Sequence, residues 1–278
     1  AIASLDELKK NSVEEALKNL EELKRSGMTD PRIDFQRSRA LFLLGKNKEG
    51  FDALQETVRR QRTNLDARYA LVAYYLDSSK PQEAIRELDQ VDAFAPGAVK
   101  TAVYRVRALR FANRPEEALN ASRQALKAFP GDEELAFEQG MTYLDARRFK
   151  EASDVFLAMY NRGRKGISVL AALSQAYAGQ KQFAPARAVL EKEIAANPKN
   201  PDLQALRATV LGQEGNLPAA IAAFEKLNLP DRPEPAILFS LAGLYSRAGN
   251  HEKSVAIHRQ LAARNPDLPE AYNSWVAA

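Results

Sequence analysis

The chain of 278 residues contains no cysteine, which rules out disulfides, thiolate metal sites and cysteine nucleophiles together. That leaves the compartment open between cytoplasm and periplasm, since soluble proteins of either can do without disulfides. Histidine is scarce as well. His251 and His258 fall two helical turns apart, too distant to share one metal ion and with no carboxylate placed to join them, so both read as structural. No apolar run reaches the length that spans a bilayer. Charge of one sign is lacking too: 40 basic residues against 36 acidic ones leave a net +4. Up to Asp132 there are 23 basic and 20 acidic residues and beyond it 17 and 16, so neither half is a basic tail and nucleic acid is not expected as a partner. Phosphate loop, nucleophile elbow and metal-ligand spacing are all missing. The sequence therefore predicts no enzyme activity, no cofactor and no metal. The acid pairs Glu116-Glu117 and Glu133-Glu134 fall at turns or helix starts, where carboxylates favour the helix dipole, and Arg59-Arg60-x-Arg62 reads as the basic end of a helix. The chain starts at Ala1 without an apolar leader-like stretch. It reads as processed or cut from a longer chain, in which case a removed signal or lipid anchor leaves no trace.

What is present is a repeat. Between Ile167 and Asn200 the order runs Leu170-x2-Leu173-Ser174-x2-Tyr177, then Ala186-x3-Leu190, then Pro198. Apolar faces at helical spacing lie either side of Gly179-Gln180-Lys181-Gln182, which predicts a helix, a turn and a second helix. One such hairpin is too thin to bury its own faces and needs neighbours stacked on it. Stepping by 34 residues from Ile167 gives starts at 31, 65, 99, 133, 167, 201 and 235 with no insertion. The expected layout is a partial unit over 1–30, seven units (31–64, 65–98, 99–132, 133–166, 167–200, 201–234 and 235–268), and over 269–278 a truncated further unit or capping helix.

The columns of this frame make physical sense. The twentieth reads Ala16, Gly50, Ala84, Ala118, Ala152, Ala186, Ala220 and Ser254, and in the eighth, from Ser38 through Gly140 to Ala242, nothing exceeds valine. Small residues let two helices cross closely, and a Leu or Phe there is expected to cost about 1–3 kcal/mol. The eleventh column is large throughout: Leu41, Tyr75, Leu109, Tyr143, Tyr177, Leu211 and Tyr245. Asp30, Asn64, Asp132 and Asn200 precede unit starts as caps, with Pro31 and Pro201 at the first helical turn. Pro96, Pro130, Pro198 and Pro266 end second helices, and Gly45 and Gly249 fall in the turns between helices. Arg62, Arg164 and Arg232 stand where proline is expected, and Asn228-Leu229-Pro230-Asp231-Arg232-Pro233 reads as an irregular connection.

These residues and their spacing resemble the tetratricopeptide repeat family over essentially the whole chain. The pentatricopeptide and Sel1 types fit an unbroken 34-residue period less well. The resemblance implies an all-α fold, an α-solenoid of helix-turn-helix repeats forming a right-handed superhelix, whose first helices line a concave groove for partner peptides. It further implies that positions 2, 5, 9, 12 and 13 of each unit face that groove. On those positions lie Phe35, Arg39 and Phe42, then Tyr69, then Arg107, Arg110 and Phe111, then Phe137 and Met141. Singly, each aromatic reads as packing between adjacent first helices. As a cluster they read as the main peptide-binding surface, the arginines anchoring carboxylates or peptide backbone. Further on, Ala171, Gln175, Ala178, Gly179, Ala205, Thr209, Gly212 and Gly243 predict a smooth wall that holds backbone closely or holds nothing. The asparagine-based clamps of the chaperone-tail binders and of the sugar-transferase repeats are absent from the ninth and sixth columns.

The expected function is thus a protein-protein interaction scaffold that binds peptide segments. Its rivals are an accessory region of a larger enzyme or secretion assembly, self-association through the end around Tyr272 and Trp275, and an RNA-binding solenoid.

Overall fold

The computed structural model describes residues 5–28, 30–227 and 235–264, and within them the chain is helical with no strand. The helix α1 (Leu5–Arg25) comes first. The first helices of the hairpins are then α2 (Pro31–Leu43), α4 (Leu65–Asp77), α6 (Val99–Phe111), α8 (Glu133–Asp145), α10 (Ile167–Gly179), α12 (Pro201–Glu214) and α14 (Pro235–Arg247). Their second helices are α3 (Asn47–Arg60), α5 (Pro81–Phe94), α7 (Pro115–Ala128), α9 (Phe149–Asn161), α11 (Phe183–Ala196), α13 (Leu217–Glu225) and α15 (His251–Arg264). Within each series the starts recur every 34 residues. The fold is an all-α solenoid of helical hairpins.

Two compact units divide the chain, residues 1–138 and 139–278. In the first, each helix from α1 to α7 packs on the next, and α4 also touches α6. In the second, each helix from α9 to α15 packs on the next, while α10, α12 and α14 touch in succession as a layer of first helices. The small columns sit at the crossings. Ala84, Ala118, Ala152, Ala186 and Ala220 are buried, as are Ser38, Val72, Val106, Ser174, Ala208 and Ala242. Around them Leu41, Leu54, Leu88, Leu119, Leu170, Leu173 and Leu190 are enclosed, each worth about 2–3 kcal/mol of apolar burial.

The turns explain themselves through one repeated hydrogen-bond pattern. Lys46 N donates to Leu41 O at 2.9 Å, Lys80 N to Tyr75 O at 2.7 Å, Arg148 N to Tyr143 O at 2.8 Å and Gln182 N to Tyr177 O at 2.9 Å. Each closes a helix from five residues on, which requires a left-handed residue just before the donor. Gly45, Gly215 and Gly249 supply it, and Ser79, Asn113, Arg147 and Lys181 occupy the same place with φ of 56–58°. An L side chain there costs about 1–2 kcal/mol, less for asparagine. Arg147→Gly and Lys181→Gly, both at exposed positions, are each expected to stabilise the chain by about 0.5–1 kcal/mol net of glycine's entropy, read as a raised urea midpoint.

Four caps stand where the sequence places them. Asp30 accepts from Arg32 N, Asn64 from Ala67 N, Asp132 from Leu135 N, and Asn200 from Asp202 N and Leu203 N. Asn216 and Asn250 cap as well, accepting from Ala219 N and Lys253 N. Three expectations lie outside the described residues: the connection over 228–233, Pro266, and the end around Tyr272 and Trp275.

His258 is buried on α15 with its ring 5.9 Å from that of Phe239, and its Nδ1 has no hydrogen-bond partner among the described residues. Burial pushes its pKa below the ordinary 6.5. The folded state therefore binds fewer protons than the unfolded state as pH drops through this range. The contribution of the neutral, buried His258 is fully present above pH 6.5 and is expected to be lost as pH drops below it. A His258→Leu variant should lose that slope in thermal unfolding measured across pH.

Candidate functional site

In the first unit, the side chains that the sequence nominates are largely consumed by the fold. Phe35 and Phe42 are half-buried against Leu54, Ala67 and Leu71. The Phe42 ring lies 5.5 Å from Tyr74 and 3.1 Å from where a Cβ on Gly50 would sit, so this glycine is what lets the ring in. Tyr69 is only 6% exposed. Its hydroxyl lies 2.7 Å from Thr101 Oγ1, its ring stacks on Tyr104 at 5.8 Å, and Lys100 Nζ stands 4.5 Å above it.

Arg107 and Arg110 meet a carboxylate of their own chain. Glu138 is 2% exposed. It accepts from Arg107 Nε at 2.7 Å and from Arg110 Nη1 at 2.6 Å, while Glu134 takes a second nitrogen of Arg107 at 3.3 Å. Burial pulls the Arg107 pKa down, but the charge of Glu138 and its hydrogen bond outweigh this and hold it above the ordinary value. Arg107 also lies over the Tyr104 ring, whose hydroxyl burial pushes up in pKa. Both guanidinium groups are thus tied to the solenoid itself. Glu138 was readable only as a missing asparagine in the sixth column. The signal that finds it is a basic ninth column opposite acids in the second and sixth columns of the next hairpin.

Arg39 and Phe111 remain in the open. Among the described residues Arg39 makes only a 3.2 Å contact to Gln36, and Phe111 is 51% exposed with Arg110 above its ring. Phe111→Ala is expected to change stability by no more than about 0.5 kcal/mol, as measured by thermal unfolding. Phe137 is half-buried in the first unit, and Met141 half-buried in the second.

The basic run at the end of α3 is paired rather than bare. Arg59 and Arg60 both donate to Glu56, and their hydrogen bonds hold its carboxyl at about 2. Arg60 also reaches buried Asp34, which Lys24 binds at 2.6 Å. Among the described residues no cluster of His, Asp and Glu could hold a metal, and no helix is long and apolar enough to cross a membrane.

In the second unit, the stretch that the sequence reads as smooth is hollow. A cavity of about 480 Å³ opens on the layer of first helices, walled by Ile167, Ser168 and Ala171 of α10, Asp202, Ala205, Leu206 and Thr209 of α12, and Ile237 and Ser240 of α14. Its volume falls within the range of about 300–1,000 Å³ usual for ligand sites. A smaller hollow of about 170 Å³ adjoins it through Thr209 and Ser240 and ends at Arg247, which donates to Gly212 O at 2.8 Å. The cause lies in the sequence. Alanine in the fifth column of α10 and α12 cannot fill the space between two helices whose neighbouring residues, Ile167 and Leu206, are large. Ile167 stays 39% exposed as a result. The Asp202 carboxylate at the rim has no cation or donor on it among the described residues.

Comparison with known proteins gives the fold relationship. The tetratricopeptide repeat model matches residues 105–166 and 171–233. No curated protein matches the sequence. A tetratricopeptide repeat protein of Parabacteroides merdae superposes with a TM-score of 0.66 at 14% identity, over 95% of this chain and 98% of that one. A thermophilic protein of the same kind from Thermus thermophilus does so with 0.53 at 22% identity, over 65% and 98% of the two chains. The pilF protein of Pseudomonas aeruginosa is similar with 0.50 at 18% identity, over 77% and 97%.

Proposed function

We propose, on the premise that residues 105–166 and 171–233 are tetratricopeptide repeats set among hairpins of the same pattern, that this chain is a scaffold holding a peptide segment of a partner protein on its first helices. The observation that carries this is the apolar hollow across α10, α12 and α14. A stack that needed these faces only for its own stability would fill them, because an unfilled apolar wall forfeits both burial and dispersion contacts. The receptor surface is built from helices already packed on one another, so its ordering cost on binding is small.

The Phe35 to Met141 stretch contributes less under this reading. It offers Arg39 and Phe111 at the surface, whereas Tyr69, Arg107 and Arg110 serve the fold. The weight of the contact falls on α10, α12 and α14.

Selection of displayed random peptides on the immobilised chain tests the proposal. Enriched peptides should lose binding to an Ala171→Arg variant that keeps the wild-type helical spectrum, since the new side chain projects a charge into the hollow. Enrichment no greater than on a blank surface, or equal binding to both proteins, overturns it.

A further inference from the structure

The hollow in the second unit has a chemistry more specific than its shape. Its lining is mostly aliphatic, from Ile167, Ala171, Ala205, Leu206 and Ile237, with hydroxyls from Ser168, Thr209 and Ser240, and one ionised group, Asp202, stands at its edge. Acids in the first turn of a helix usually serve the dipole, and Asp202 does occupy the first turn of α12. Three acids of the first helices in the first unit are matched by bases, Glu134 and Glu138 by Arg107 and Asp34 by Lys24 and Arg60, while Asp66 in the first turn of α4 is exposed, with no apolar hollow recorded beside it among the described residues. Asp202 has no such match among the described residues and sits beside an apolar hollow. Next to it along the surface, Gly243 is bare: a Cβ added there meets nothing within 4 Å, so a guest backbone can lie against α14 without a side chain in its way. Ser168, exposed at the rim, supplies a hydroxyl for backbone hydrogen bonds.

Resting on the scaffold reading above, we infer that the partner segment is an extended peptide in which a lysine or arginine directly precedes or follows a short cluster of leucine, isoleucine or phenylalanine. The cation pairs with Asp202 and the apolar side chains fill the hollow between Ile167, Leu206 and Ile237. Pockets of this size take more than one side chain, which makes a cluster rather than a single anchor the matching guest. The charge sets which peptides are accepted and the apolar cluster supplies most of the affinity.

The probe is a fluorescein-labelled peptide, Gly-Ser-Lys-Leu-Phe-Leu-Ser-Gly, titrated with the full chain at low ionic strength and read by fluorescence polarisation. Three further peptides carry serine or glutamate for the lysine, or serines for the apolar cluster. An exposed ion pair contributes about 0.2–1 kcal/mol, so the serine peptide should bind about 1.5–5-fold more weakly and the glutamate peptide weaker still. Without its apolar cluster the peptide should lose at least about tenfold. On Asp202→Asn the lysine and serine peptides should become equal, and Leu206→Ser should weaken all apolar peptides alike. Leu206 is half-buried and is not part of the core cluster around Ala208, Ala220 and Phe224, so that variant tests the hollow while leaving that cluster intact, and far-ultraviolet circular dichroism checks both variants. Equal binding of lysine and glutamate peptides to the wild type overturns the inference, as does a lysine preference that survives Asp202→Asn. Failure of this probe while displayed peptides of other composition still bind and still depend on Ala171 would sink the basic-apolar guest and leave the scaffold reading standing. Loss of both would sink both.

Discussion

Replacing Glu138 by alanine is expected to lower the unfolding free energy by about 3–5 kcal/mol, among the largest single effects in the chain. The carboxylate is enclosed and bridges α6 and α8, holding Arg107 and Arg110 with one oxygen each at 2.6–2.7 Å. The Arg110 side chain is itself 8% exposed, so its charge has no water to return to when Glu138 is gone. Removing Glu138 takes from two desolvated guanidinium groups the carboxylate they share, which costs more than the group contributes when whole. Removing all of it is a different matter. A triple variant, Glu138→Met with Arg107→Leu and Arg110→Leu, should recover most of the loss, because apolar side chains of similar volume avoid the desolvation altogether. Urea denaturation followed by circular dichroism separates the two outcomes. A Glu138→Ala midpoint indistinguishable from wild type would mean that the guanidinium groups are solvated and the bridge is ornamental. The same experiment bears on function, since arginines locked on Glu138 are poor anchors for a guest's carboxylate.

Phe156→Ala should cost about as much, 3–5 kcal/mol by order of magnitude, through a different mechanism. The ring is fully enclosed in the second unit and points end-on at Gly140 of α8, where an added Cβ would fall 2.6 Å from its tip. No rotamer relieves a clash with the end of a rigid, packed ring, so Gly140→Ala is itself expected to destabilise by about 1–3 kcal/mol. In a Phe156→Ala background the same change should stabilise by up to about 1 kcal/mol, because the clash has gone and alanine is the better helix former. The sign reversal is the decisive observation. A double-mutant cycle should return a coupling of about 2 kcal/mol or more between the two positions, and additive effects would show that they do not touch.

Much of the fold was legible because its determinants are local and periodic. Asp30, Asn64, Asp132 and Asn200 reach only two or three residues to cap a helix. The alanines of the twentieth column are small in sequence and buried in the structure for the same reason, the close crossing of two helices only a turn apart in the chain. The left-handed turn residues were half legible. Glycine announces itself at Gly45 and Gly249, but Arg147 and Lys181 take the same backbone conformation, and nothing about their side chains signals it. There the hairpin's packing imposes a strain that no local preference predicts.

By itself the amino-acid order determined the helical hairpin, its 34-residue period and the residues at each crossing, since a helical period of 3.6 residues fixes which face a side chain takes. Only the tertiary structure decided what meets that face. Arg107 and Arg110 find Glu138 at separations of 31 and 28 residues, and the hollow needs Ala171, Ala205 and Ile237 from three different hairpins. Whether a first-helix side chain is spent inside the stack or left to a guest depends on the size and charge of its counterpart in the next hairpin. That pairing is set by how the hairpins lean on one another.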